Sequence, residues 1–330
     1  MALSDMKVFD KYVAEATIET LAQQVEKFNA ASAGAIVLTT QGFTGDYIHE
    51  QMWKSVHSAQ RRVNRYATNT VASPTPMSEL RETGVKVAGG FGPITWEPGQ
   101  LRWMQKNTAE AVEMASRNLA EAIMKDQLNS AIAALCAAIG NNSNARVEKT
   151  TGSTASKITY SMLNEAHAKF GDSSAAIVAN VMDGATYHAL IGQNLANSTH
   201  LFQANGVTVV DILGKAVIVT DAPALSVAAV VVTPTAPAKS RALGLVAGAA
   251  TVYDGSDLIT NTEVSNGAIR IAATFQADYT FGLALKGYTW DVTYGGKSPS
   301  DAALATGSNW DKIATSDKHT AGVIATGLAS

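Results

Sequence analysis

Between residues 107 and 139 apolar side chains return at helical spacing. Val112, Leu119, Ile123, Leu128, Ile132, Leu135 and Ile139 lie along one face, with neither Gly nor Pro to break the run. At about 1.5 Å per residue such a helix would be about 50 Å long, roughly three times the average. Asn107 can cap its freed amides, and Glu110, three residues on, can reach back. Glu113–Arg117 and Glu121–Lys125 set an acid four residues ahead of a base. The Gly140-Asn141-Asn142 run predicts its end. Its last third, rich in alanine around Cys136, invites a close-packed neighbour.

The remaining patterns flank this rod. Residues 6–30 predict an amphipathic arm helix with Phe9, Val13, Ala16, Leu21, Val25 and Phe28 on one face. Residues 30–35, small throughout, predict a flexible joint. Residues 36–63 are mixed, with a short helix expected over 47–61. Two extended runs follow, 63–72 and 83–96, joined by 73–80; Pro74, Pro76, Pro93 and Pro98 oppose helix there. So few large apolar groups occur in 61–102 that this hairpin needs a neighbour to lie on, because an isolated hairpin is only marginally stable in water.

Beyond the rod, a polar link (141–157) leads into compact α/β patterning. Helices are expected over 160–170 and 184–195, and a buried strand over 175–182. A hairpin is expected with arms 207–212 and 216–220 turning on 213–215, then further strands over 227–233 and 243–253. Residues 269–281 alternate with period two for 13 positions, about twice a usual strand. The tail from 297 reads as polar, anchored by Trp310, Ile313 and Val323.

Composition narrows the function. Charged residues are 16% of the chain, well under the usual quarter, so much surface can be hidden against other chains. Net charge is −3, which leaves no electrostatic footprint for tight DNA or membrane binding. The single cysteine excludes internal disulfides. No apolar stretch reaches the length of a membrane span. At 330 residues, two lobes are expected. The local excess of charge is in the hairpin, where Arg61, Arg62, Arg65, Arg81, Lys86 and Arg102 face Glu79, Glu82 and Glu97.

Several motifs begin and then fail. Gly296-Lys297-Ser298 lacks the glycine five residues earlier that a phosphate loop needs; Asp291 stands there. His49-Glu50 opens like a zinc-protease helix, but Trp53 occupies the second histidine position. Gly90-Phe91-Gly92 lies in the hairpin, not between strand and helix. Asp254-Gly255-Ser256-Asp257 is too short for a calcium loop. His49, His57, His167, His188, His200 and His319 have no tight ligand spacing. No catalytic, cofactor-binding or metal site is expected, and so no enzyme.

The order of parts — arm, proline-rich hairpin, lone rod helix, compact lobe, long closing strand — resembles the tailed-phage major capsid protein family, the Hong Kong ninety-seven fold. VVDILGKAVIVTDAP at 209–223 is similar to that family's axial-lobe hairpin, and AIRIAATFQADYTFGLALKGYTW at 268–290 to the closing strands of its peripheral lobe. The resemblance implies an α+β fold. It would have an N-terminal arm (1–40), a linker helix with an extended hairpin loop (41–104), and a peripheral lobe with a spine helix (105–154). An axial α/β lobe (155–262) and peripheral closing strands with the C-terminal tail (263–330) would complete it. It also implies a shell of hexamers and pentamers around double-stranded DNA held by weak non-specific contact, assembled in a bacterial host cytoplasm. A portal and a decoration protein belong to that picture, and no membrane does. Inter-subunit contacts are expected from Phe9, Val13, Arg61, Arg62, Arg65, Arg81, Lys86, Trp96, Arg102 and Trp103. Many relatives carry a long charged scaffold segment ahead of the arm; the arm begins within a few residues of Met1 here, so a separate scaffolding protein is expected. Lys86 is the one lysine in the hairpin available for an isopeptide weld, and nothing marks its partner. Two other classes compete: a cellular compartment shell of the same fold, which cargo genes nearby would indicate, and an α/β enzyme, which a stable monomer would indicate.

Overall fold

The computed structural model describes residues 3–54, 60–68, 74, 76–96, 108–197, 215–229, 237–255, 257–266 and 271–329. Helix α1 (Leu3–Ala31) leads into β1 (Ile36–Gly42), β2 (Tyr47–Trp53) and the 18-residue β3 (Glu79–Trp96). Helix α2 (Thr108–Asn141) is the rod, 34 residues long. Next come β4 (Arg146–Lys149), α3 (Tyr160–Ala168), β5 (Ile177–Met182), α4 (Gly184–Asn197), β6 (Ala216–Val219), β7 (Ser226–Val227) and β8 (Lys239–Val246). The chain closes with β9 (Ala250–Asp254), β10 (Ile259–Asn266), β11 (Ile271–Leu285), β12 (Tyr288–Trp290), α5 (Asp301–Leu304), β13 (Trp310–Lys312) and β14 (Gly322–Leu328).

Among the described residues the strands form two six-stranded sheets and a two-stranded one, β12-β13. The first runs β1-β9-β11-β3-β2, with β10 beside β11; the second runs β4-β14-β8-β5-β6, with β7 beside β8. The period-two pattern of β11 explains the first sheet. Phe275, Ala277, Tyr279, Phe281 and Leu283 point to one face and are buried, while Gln276 and Asp278 on the other are exposed. Phe281 and Leu283 face Val87 and Val85 of β3 across the ladder, so both strands bury the same side. Helix α2 packs against β9 and β11 of this sheet and against β14 of the other. Its alanine-rich third is buried on most sides: Ala131, Ile132, Ala134, Leu135, Ala138 and Ile139 are fully enclosed and Cys136 nearly so, while Ala133 and Ala137 are half-buried. Small side chains let both sheets approach the rod closely.

The rod's ends differ in detail from the sequence reading. Asn107 lies outside the described residues. Arg117 donates forward to Glu121 at 3.3 Å, so the i,i+4 pair forms between those two residues. At the C-terminus no left-handed residue is used; Asn142 N–H donates to Ile139 O, and the Arg146 guanidinium caps Gly140 O at 3.1 Å.

Other expectations need correction. Of the helix foreseen over 47–61, the first part is a strand: Tyr47–Trp53 pairs antiparallel with Val85–Glu79, a ladder partner outweighing the helical look of His49-Glu50-Gln51, and 55–59 lie outside the described residues. The hairpin therefore joins 47–53 to 79–96. Residues 63–68 form a turn without strand, and 69–73 lie outside the described residues. Nor is the hairpin coreless, since Glu82, Thr83, Val85 and Val87 are buried. The joint at 30–35 is pinned. Asn29 grips the Leu38 backbone through both amide atoms (2.6 and 2.9 Å), and Ser32 Oγ donates to Ile36 O. The run 243–253 is two strands in different sheets, broken at Gly248, whose φ of 66° turns the chain. Of 227–233 only Val227 is in a strand, and Ala228 and Ala229 are exposed; the rest, like the arm 207–212, falls outside the described residues. Residues 250–254 and 259–266 pair into the first sheet. The tail's Gly322–Leu328 pairs into the middle of the second, parallel to β4 and antiparallel to β8.

Candidate assembly surfaces

Beyond Lys54, whose N–H closes the β2–β3 ladder on Ser78 O at 2.9 Å, the hairpin leaves the body. Every described residue from 60 to 79 is exposed. Asn64 shapes the tip: its Oδ1 accepts from Tyr66 N–H at 3.0 Å, an Asx turn, and its carbonyl accepts from Ala67 N–H. The turn holds Tyr66 wholly in solvent, 100% exposed, with Val63 and Met77 also exposed nearby in sequence. Arg61, Arg62 and Arg65 share the tip, and none pairs with an acid among the described residues. A fully exposed tyrosine among three arginines carries the residue types that dominate protein interfaces.

The base of the hairpin is built differently. On β3, Arg81 is exposed, while Lys86 is half-buried and reaches Asp46 at 3.5 Å. Asp46 also accepts from Lys297 at 2.8 Å, so one carboxylate ties the loop before β2 to β3 and to the segment after β12. Lys297, then Lys86, holds that carboxyl below the usual range. One step further in, Glu82 is buried opposite Glu50, its direct partner across the β2–β3 ladder. Its Oε2 accepts from Gly287 N–H at 3.2 Å, next to β12, and Thr83 N–H donates to Thr289 Oγ1 at 3.1 Å. Burial pushes the Glu82 carboxyl up to about 7; the Gly287 amide and Lys286 oppose this, and Glu50 adds to it. Glu50 itself accepts from the Tyr253 hydroxyl on β9.

Of the ten contact residues expected from sequence, the tip arginines and Arg81 are free on the surface. Val13 is not: it is 1% exposed, on the inner side of α1 in its own subunit's core, so the face of the arm that carries it is already satisfied. Lys86 is engaged within its own chain. Trp96 ends β3 opposite Ala273, and Phe9 lies in α1; their side chains, and all of Arg102 and Trp103, fall outside the described residues. Sequence reading passed over Tyr66, and also Tyr294, 81% exposed on the loop after β12. A tyrosine flanked by Arg65 and Asn64 in a turn-forming run was the available signal. His167, one of six scattered histidines, is a core group: its Nε2 meets Asn180 Oδ1 at 2.9 Å, and burial lowers its pKa. Among the described residues no three His, Cys, Asp or Glu side chains converge as metal ligands, and no helix is long and apolar enough to cross a membrane.

Residues 5–324 match the Gp13-like family, described as major capsid protein 13-like. No curated protein matches the chain. Among solved structures it is similar to a Mycobacterium phage Adephagia chain, with TM-score 0.51 and 11% identity over 91% of this chain and 89% of that one. The Cyanophage Pam1 capsid asymmetric unit matches with TM-score 0.50 and 12% identity over 89% and 88%. The capsid of Ralstonia phage GP4 matches with 0.50 and 10% over 90% and 87%. At such identities the likeness is one of fold.

Proposed function

Since the chain belongs to the Gp13-like family of major capsid proteins, we propose that its copies build the head shell of a tailed phage as hexamers and pentamers. It is a capsid shell protein of the virion, and its principal partner is itself. The observation that carries this is the family match over 5–324, nearly the whole chain. The compartment-shell alternative is not favoured, because both the family and the similar solved structures are phage capsid proteins. In the proposed arrangement the first sheet and α2 form the peripheral lobe, and the second sheet with α3 and α4 forms the axial lobe. The β2–β3 hairpin lies across a neighbour through Arg61, Arg62 and Arg65. The role is structural, without catalysis. A separate scaffolding protein, a portal and a decoration protein complete the head, DNA is held by weak non-specific contact, and assembly takes place in the host cytoplasm.

The fold supports this reading physically. The hairpin base is locked by Glu82, Thr83 and Asp46, and the described residues of the tip are exposed. That is an expensive arrangement in a monomer and a useful one between subunits. Negative-stain images and sedimentation of the protein co-expressed with its scaffolding partner should show closed shells. A monodisperse monomer under those conditions would refute the proposal.

A further inference from the structure

Between α1, β1, α2, β9 and β11 lies a cavity of about 420 Å³. Leu21, Val25, Leu38, Ile123, Val252 and Tyr279 give it a largely apolar wall. Protein interiors leave few voids larger than a water molecule, whose share of liquid volume is about 30 Å³, and an apolar wall holds water poorly. The volume falls in the range of sites that take a ligand or an inserted side chain. Its mouth is marked by exposed lining residues, Ile18 and Asp257 among them. Asp257 is held in place by Thr280, whose N–H and hydroxyl both donate to Oδ1 at 2.8 and 2.6 Å. Asp254 also lines the cavity, and exposed Glu15 and Glu19 flank Ile18 on the same turn of α1. Among the described residues the lining contains acids and no Lys or Arg.

The hairpin tip is the complement of this mouth. It carries one fully exposed aromatic ring, stiffened by the Asn64 turn, among three arginines. The ladder from Val85 to Glu79 carries the tip about 20 Å past the point where β3 leaves β11, at about 3.3 Å per residue.

We infer that Tyr66 of one subunit seats in this cavity of a second copy, with Arg62 and Arg65 against Asp257 and Glu19 at its rim. The ring supplies the apolar burial, and the charges select register more than they add affinity. The inference rests on the shell reading above and adds the residue and the socket.

Particles of the Tyr66→Cys, Ile18→Cys double variant test it, and Cys136 is too buried to compete. Oxidation should link subunits into a ladder on a non-reducing gel. Free double-variant subunits and each single variant should not link. Well-formed particles without the ladder would overturn the docking while leaving the shell reading intact; absence of particles from the unaltered protein would overturn the shell reading itself. Should the double variant fail to assemble, hydroxyl-radical footprinting of the unaltered protein decides. Tyr66 and Ile18 should both lose reactivity several-fold on assembly. Ile18 protected with Tyr66 still reactive would assign the cavity to another occupant and refute the inference, as would both remaining reactive.

Discussion

Glu82→Gln should make the isolated subunit more stable at pH 8 while leaving it little changed at pH 5. The carboxyl is buried at the hairpin base, and burial raises it from an ordinary 4.5 to about 7. A raised acid favours the folded state while protonated. Its contribution is therefore complete below about 4.5 and is lost as pH climbs through about 7. At about 1.4 kcal/mol per tenfold change in proton concentration, the interval corresponds to about 3 kcal/mol. Relaxation of the protein around a buried charge reduces this to about 2 kcal/mol. Glutamine keeps an oxygen for the Gly287 amide and carries no charge at any pH, so the stability of the variant should not change across this window on account of position 82. Urea unfolding of both proteins at pH 5, 6, 7 and 8 measures it, and the difference between them cancels other titrating groups such as His167. A difference that stays constant from pH 5 to 8 would refute the reasoning. Glu50→Gln, by removing the like charge directly opposite on β2, should recover part of the same gain.

Four further outcomes follow from the structure. Ala120→Pro, at a fully buried position inside α2, should cost at least about 3 kcal/mol and abolish soluble subunit, read from expression and thermal unfolding. Trp310→Ala should cost about 3–5 kcal/mol, since its ring stands edge-on to Trp290 at 4.8 Å and its Nε1 donates to Leu304 O; calorimetry checks it. Arg81→Ala, at an exposed site, should change stability by no more than about 1 kcal/mol, whereas amides of residues 60–68 should gain hydrogen-exchange protection only on assembly.

Long regular periods were legible in the sequence; local partners were not. The rod and β11 announce themselves because each repeats one period for many residues. Strand β2 alternates too, but His49-Glu50-Gln51 mixes polar residues onto both faces, and only the register with β3 shows which way they point. The break between β8 and β9 hides inside Ala247-Gly248-Ala249, small residues that look like a continuation of an apolar run. Strand β14 passed for a polar tail because its buried positions include Gly322, Ala325 and Thr326, which bury well only where a neighbouring strand lies close. For the surfaces, charge alone pointed to Arg61, Arg62 and Arg65. Glu82 carried no signal, since its burial comes from β12 and Gly287, more than 200 residues away.

The position of β14 sets the order in which the subunit becomes usable. It lies between β4 and β8, yet it is synthesised after both, some 76 residues beyond Val246. At about 5–20 residues per second the ribosome needs roughly 4–15 seconds to cover that distance. Until then β4 has no strand beside it and β8 is paired on one edge. The second sheet stays open until β14 is made, so a chain that lacks it has no finished lobe to offer its neighbours. Completion of β14 thus marks the earliest moment at which this sheet can present a finished edge.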